Sequence, residues 1–227
     1  MKISDTIKQR LIIDGHRYHA SDNISKYIHA GETGELIEEV AEKFEEVLQS
    51  LIIDTKTDPN SSGTANRLAK MYVNEIMGGR YLPDPRIASF PNDGQYDQLI
   101  VVRMNLKSMC SHHHQPVSGV CYIGCLPGDS VIGLSKYTRV AQHLANRGHL
   151  QEELTEMIAT RIEKITKSKG VAVYIKARHG CCENRGIMAS NSSTQTTVVK
   201  GELKSNTNLK QEFMDNIKLQ EMADGHS

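Results

Sequence analysis

An α+β fold is predicted by the order of apolar patterns along these 227 residues. Two helical stripes come first, and the C-terminal two-thirds then reads strand, strand, helix, helix, strand, strand. Cys and His residues gather directly after two of those strands, in Cys110-Ser111-His112-His113-His114 and in His179-Gly180-Cys181. A connection over 80–98, carrying Pro83, Pro85 and Pro91, separates the early helices from the first strand. The expected organisation is an N-terminal arm and helical region over 1–97, a domain carrying the Cys-His segments over 98–213, and a tail over 214–227.

Each element has its own local signal. Residues 1–30 are polar with weak periodicity and read as an arm or an early helix. Thr33 to Ile52 predicts an amphipathic helix, because Leu36, Ile37, Val40, Phe44, Val47, Leu48 and Leu51 recur at three- and four-residue spacing. Thr33 is the expected N-cap, followed by acidic residues in the first turn. Asp58 to Gly63 is a loop, and Thr64 opens a second helix with Leu68, Met71, Tyr72 and Ile76 on one face. Gly78-Gly79 is expected to stop it. Gln98 to Lys107 and Pro116 to Leu126 predict strands, and Pro127-Gly128-Asp129 a turn. Helices are expected over Ser135 to Asn146 and over Gln151 to Lys167, the second facing Leu154, Met157, Ile158, Ile162 and Ile165 one way. Lys169-Gly170 breaks it. Val171 to Ala177 and the Thr- and Val-rich run from Thr194 to Leu203 are the last two strands.

Composition narrows the function classes. Lys+Arg and Asp+Glu number 27 each, a formal net charge of zero. A broad nucleic-acid surface needs a basic excess, so nucleic acid is not an expected partner. Trp is absent and only three Phe are present, which disfavours a base-stacking platform. No run approaches the roughly 18 to 20 apolar residues that span a bilayer. The polar start, Met1-Lys2-Ile3-Ser4-Asp5, lacks an apolar secretory core, so a cytoplasmic protein without membrane partners is expected. The five cysteines do not read as a disulfide framework. Cys121 and Cys125 fall on one face of a strand roughly 13 Å apart, too far to share a metal, and are expected to be buried thiols.

Cys110 and a histidine three residues on suit a divalent metal, with Cys181 arriving from a distant segment as a third ligand. His112, His113 and His114 can each serve, and the common Cys-x2-His spacing favours His113. Three protein ligands leave one tetrahedral position open, which separates a catalytic zinc from a structural one. His112 and His179 then sit beside the ligands and can move protons near neutral pH. Metal and acid-base groups together predict metal-assisted hydrolysis.

Ser135, Lys136 and Arg139 cluster on the first turns of a predicted helix, an arrangement suited to phosphate. Arg185 follows the second Cys-His segment, and Arg67 and Lys70 share a face of the second helix. Gln151, Glu152 and Glu153 open a helix, where acidic residues complement the dipole; a carboxylate there could also accept two hydrogen bonds from a guanine edge.

Taken together these residues resemble the GTP cyclohydrolase I family, over about residues 33–213. The resemblance is carried by Thr64-x2-Arg67-x-Ala69-Lys70-Met71-Tyr72, Ser108-x-Cys110-x-His112-His113 and Val131-Ile132-Gly133-Leu134-Ser135-Lys136-x2-Arg139. It continues through Gln151-Glu152-x-Leu154-Thr155, Gly170-Val171-Ala172-Val173, His179-x-Cys181-x3-Arg185-Gly186 and the Thr-rich strand before Gly201.

The resemblance implies a tunnelling fold, ββααββ, with an antiparallel sheet and two helices on one face. It implies a homodecamer of two pentamers with active sites between subunits. It also implies Zn2+ on Cys110, His113 and Cys181, and proton transfer by His112 and His179. Glu152 would recognise guanine with Gln151 beside it, and Ser135, Lys136, Arg139 and Arg185 would contact the triphosphate, with Arg67 and Lys70 approaching it. The implied reaction converts GTP to 7,8-dihydroneopterin triphosphate and formate, the first step of pterin and folate or deazaguanine biosynthesis. This chain departs from the family at Ser111, usually Glu, and at His114 and Gln115, usually more apolar; Cys182 is a further local difference. Two alternatives stand beside it: a cyclohydrolase with shifted nucleotide choice, motivated by Ser111, and a non-catalytic purine- or pterin-binding tunnelling-fold protein, against which the retention of His112, His179 and all three ligands argues.

Overall fold

The computed structural model describes residues 2–224. The chain divides into two compact units between Asp84 and Pro85, inside the Pro-containing connection.

In the first unit, the expected arm is a helix, α1 (Ile3–Ile13). It buries Ile7 and Leu11, one turn apart, against Ile24 and Tyr27 of the following 3-10 turn. Helix α2 (Glu32–Ser50) starts one residue before Thr33, and Thr33 makes no capping bond. The N-cap is Gly31, in the left-handed region at φ 89° and without a side-chain cap bond, and Glu32 opens the helix. Its carboxylate accepts the His29 N–H at 2.7 Å and a two-pronged bond from Arg10, 2.6 Å to each oxygen. Arg10 also donates to the Tyr27 carbonyl at 2.9 Å, so one guanidinium joins α1, the 3-10 turn and α2. The stripe of α2 is only partly covered within its unit: Leu36 is buried, whereas Val47 and Leu51 are more than half exposed. Helix α3 (Thr64–Lys70) runs into a π-helical stretch, Met71–Ile76. The two glycines expected to end it instead open a short helix, α4 (Gly78–Tyr81), where both are buried.

The Arg10 hydrogen bond, with the His29 amide, draws the Glu32 carboxyl down to about 2 from an ordinary 4.5. A depressed carboxyl contributes stability that is complete above its unfolded pKa and lost as pH falls through its folded one. Thermal stability is therefore expected to fall between pH 4.5 and pH 2, and Glu32→Gln to flatten that slope. Melting temperature against pH for the two proteins checks this; parallel curves would remove Glu32 from the account.

The second unit holds the main sheet. Strands β1 (Ser89–Pro91) and β4 (Ser130–Ile132) form a separate antiparallel pair. The main sheet comprises β2 (Ile100–Cys110), β3 (Pro116–Leu126), the two-residue β5 (Gly148–His149), β6 (Gly170–His179) and β7 (Thr194–Gly201). Their order is β5-β2-β3-β6-β7, antiparallel except where β5 joins Met109 and Cys110 in parallel. Helices α5 (Leu134–Ala145) and α6 (Gln151–Thr166) lie between the two halves of the sheet in sequence. This is the ββααββ unit of a tunnelling fold, as expected.

The helices cover one face. Cys121, Ile123, Cys125, Val171, Val173 and Ile175 pack against Tyr137, Val140, Leu144, Leu154, Ile158 and Ile162. Cys121 and Cys125 are buried thiols, and burial pushes the Cys121 thiol up to about 12. The opposite face is covered by a helix that joins the end of the expected domain to most of the expected tail. After a single helical turn, α8 (Glu202–Ser205), helix α9 (Thr207–Asp224) buries Phe213 and Ile217 against Tyr122, Leu126, Ala172 and Tyr174. Gly124 makes room for it, since a Cβ there would lie 2.7 Å from the Phe213 ring. With both faces covered, β3 and β6 read as nearly continuous apolar runs rather than alternating ones. Among the described residues no helix is long and apolar enough to cross a membrane.

Candidate active site

The Cys-His segments meet at one end of the main sheet. Strand β3 begins at Pro116, and its register sets Pro116 opposite Met109 of β2 and Val117 opposite His179 of β6. Cys110 at the end of β2 and the segment leaving β6 therefore flank the same strand start. Cys110 is buried, and its N–H donates to the Gln115 carbonyl at 2.9 Å while its carbonyl accepts the His114 N–H at 2.9 Å. Those bonds close a tight turn in which His114 takes a left-handed conformation, φ 50°. The turn exposes His112 and His113, their rings edge to face with centroids 6.3 Å apart.

After His179 the chain enters a single helical turn, α7 (Gly180–Glu183), that presents Cys181. Gly180 fits closely: a Cβ there would lie 3.1 Å from the Pro116 carbonyl oxygen. The ion pair Arg178–Glu183, 2.6 Å, ties the strand end to the turn. The Cys181 thiol lies within hydrogen-bonding reach of Cys110, and its sulfur is 3.9 Å from that of Cys182. Burial first, then the two neighbouring thiols, push the Cys181 thiol up to about 11. Crowded thiols that disfavour one another's ionisation are the donor chemistry that a soft divalent cation relieves. His113 does not join them here, and among the described residues no three His, Cys, Asp or Glu side chains enclose a metal position. Two members of the expected triad are thus together, and the third waits on the adjacent exposed turn.

His179 is half-buried, and burial lowers its pKa against the opposing pull of Glu152 and Glu183. Its Nε2 lies 2.8 Å from the Gln151 side-chain oxygen. Gln151 and Glu152, adjacent at the start of α6, have opposite surroundings. Glu152 is exposed, as a contact to a ligand edge requires. Gln151 is 5% exposed, and its amide nitrogen donates to Ile175 O, Thr194 O and Thr196 Oγ at 3.0–3.2 Å. Its side chain is occupied inside the protein rather than presented beside Glu152.

Ser135 and Arg139 are exposed on the first turns of α5 and Lys136 is partly so, as expected of a phosphate-facing helix start. Arg185 is exposed two residues beyond α7. Arg67 and Lys70 belong to the first unit; both are exposed on α3, and Arg67 donates to Asn60 O and Thr64 Oγ at 3.1 and 2.9 Å.

Two further residues stand at this site. Thr196 approaches Gln151 from β7, where only the general Thr content of the strand hinted at it. His149 stands beside Cys110 in the sheet register, buried, with Nε2 donating to Leu144 O at 2.6 Å. No sequence signal marked it.

A family profile described as GTP cyclohydrolase I matches residues 40–218. GTP cyclohydrolase 1 of Aeromonas salmonicida is 37% identical over 174 residues, 76% of this chain and 79% of that protein. The chain belongs to the GTP cyclohydrolase I family. GTP cyclohydrolase 1 of Salmonella arizonae is 39% identical over 177 residues, 77% of this chain and 79% of that protein. Among solved structures, the archaeosine synthase QueF-Like in its apo form aligns with a TM-score of 0.39 at 14% identity, over 45% of this chain and 93% of that one. Membership of the GTP cyclohydrolase I family makes the chain an enzyme of that type. The match covers all of the second unit's main sheet, with α5, α6 and both Cys-His segments.

Proposed function

We propose that the protein hydrolyses GTP at C8 of guanine, taking up one water overall and releasing formate and 7,8-dihydroneopterin triphosphate. The observation that carries this reading is the meeting of the Cys110 and Cys181 thiols beside His179 at one sheet end. Cys110, Cys181 and His113 hold Zn2+ in this account. His113, on an exposed turn, has the rotamer freedom to complete the set. A Zn2+ held there would supply Lewis acidity that lowers the pKa of water towards neutrality. His112 and His179 move protons in opposite directions, as a sequence of hydration, ring opening and reclosure requires.

The exposed Glu152 carboxylate accepts two N–H groups of the guanine edge. Ser135, Lys136, Arg139 and Arg185 take the triphosphate, with Arg67 and Lys70 of a neighbouring copy adding positive charge. Holding the nucleotide at both ends keeps C8 over the reacting groups. Glu152→Gln is expected to raise the KM for GTP roughly 10- to 100-fold with a smaller change in kcat, the scale of one charged hydrogen-bond pair. Steady-state formate release reads this; an unchanged KM would take guanine recognition away from Glu152.

The assembly we propose is a homodecamer of two pentamers in the cytoplasm. Two features support further contacts between copies: the outer edge of β7 and most of the outer edge of β2 have no strand partner among the described residues, and α2 leaves Val47 and Leu51 exposed. The test of the whole reading is incubation of zinc-loaded protein with GTP, following formate together with pterin fluorescence after oxidation. Both products are expected. Stoichiometric zinc and tight GTP binding without either product would overturn it in favour of a binding protein.

A further inference from the structure

We propose that Gln151 and Thr196 are positioning residues that hold neutral His179 as its Nε2–H tautomer, with the ring lone pair on Nδ1. The inference rests on the reading that His179 serves GTP hydrolysis, but its first readout does not require activity.

Every proton in this network has its direction set by a backbone carbonyl. The Gln151 amide nitrogen lies 3.2 Å from Ile175 O and 3.1 Å from Thr194 O. Carbonyl oxygens only accept, so the NH2 end of the amide must face them. The side-chain oxygen consequently faces His179, 2.8 Å from Nε2. An amide oxygen cannot donate, so Nε2 carries the proton and the lone pair of the neutral ring sits on Nδ1.

Thr196 locks the same amide from the other strand. Thr155 Oγ donates its single proton to Gln151 O at 2.7 Å. In the 2.7 Å contact between Thr155 and Thr196, Thr196 is therefore the donor. That leaves a Thr196 oxygen lone pair to share one of the two Gln151 amide protons with the neighbouring carbonyls, at 3.0 Å. Thr155 and Thr196 are 0% exposed and partly buried respectively, and Gln151 is 5% exposed, so water has little access to rearrange the chain of bonds. Rotating the amide would set its oxygen against two carbonyl oxygens, the costly arrangement of buried acceptors without donors. The tautomer is thus fixed by β6, β7 and α6 together.

The test uses the intact protein labelled with 15N-histidine and studied by magic-angle-spinning NMR at alkaline pH, with His179→Gln for assignment. Wild type is expected to show the Nε2–H tautomer alone. Gln151→Met and Thr196→Val should show mixed tautomers and a kcat reduced about 10- to 100-fold, the usual scale for losing a partner that orients a catalytic group, with KM for GTP within threefold. Thr196→Ser should restore both signals, because it keeps the hydroxyl.

An Nδ1–H tautomer in wild type overturns the proposal, and that measurement needs no variant to fold. A Gln151→Met protein whose loss falls in KM rather than kcat also overturns it, since that outcome marks a direct guanine contact. Wild type that forms no formate yet shows Nε2–H, lost in Thr196→Val, would uphold the positioning network and refute GTP hydrolysis. Formate release with an Nδ1–H ring would do the reverse.

Discussion

Cys181→Ser is expected to abolish formate release from GTP, by about 10³-fold or more, while leaving the fold intact. The side chain is half-buried at the rim of the core, and serine nearly preserves its volume, so packing changes little. What is lost is a soft ligand. A hydroxyl does not ionise at neutral pH and cannot replace a thiolate on zinc. Zinc content by mass spectrometry should fall in parallel, and melting temperature should stay within a few degrees of the zinc-free wild type. Retained formate release with full zinc occupancy would move the ligand role elsewhere, with the adjacent exposed Cys182 first in line. Cys182→Ser is the companion variant, and it is expected to keep both zinc and activity.

Gly119→Ala is expected to be the most damaging small substitution in the sheet. A Cβ at Gly119 would lie 2.0 Å from Lys176 O and 2.5 Å from Ala177 Cα. Both are backbone atoms of β6, paired with Gly119 across the ladder, so no side-chain rotation can relieve the clash. The strands must part, and overpacking against a rigid neighbour reaches or exceeds the usual ceiling of about 3 kcal/mol. In a unit of this size that lowers the melting temperature by roughly 6–12 °C. Separation here would also shift the end of β6 that carries His179 and Cys181, so activity should fall together with stability. Gly133→Ala is the control, because its nearest contact would be the Lys136 side chain at 3.8 Å. Equal melting temperatures for the two variants would refute the close approach of β3 and β6.

Much of this architecture is legible residue by residue. Leu154, Ile158 and Ile162 recur at helical spacing and are all buried against the sheet. The two strands that precede the helices fall where apolar runs of about ten residues are bounded by turn signals. Errors arose where a local rule met a tertiary competitor. Thr33 has the chemistry of an N-cap, but the helix already begins at Glu32 after Gly31, and the Glu32 carboxylate is tied to Arg10, 22 residues away. Residues after Phe213 read as a polar tail, since α9 is weakly amphipathic; only the uncovered sheet face over Tyr122 and Tyr174 gives Phe213 and Ile217 a place to be buried. Gly78-Gly79 resembles a helix stop, yet packing keeps both glycines buried in a further helical turn.

The site divides in the same way. Which residues could bind a metal, move protons or hold phosphate follows from side-chain chemistry and short spacing, which are local properties. Sequence by itself determined the ββααββ order, the thiols, the imidazoles and the cations. Their partnerships are long-range. Tertiary structure alone decided that Cys110 meets Cys181, because the registers of β2 and β6 on β3 bring their ends together. It alone decided that Gln151 turns inward while Glu152 faces out, because adjacent residues at a helix start point about 100° apart and only the sheet defines which direction is inside. And it alone placed Thr196 against Gln151, 45 residues apart, since a hydrogen bond between strand and helix depends on packing that no spacing encodes.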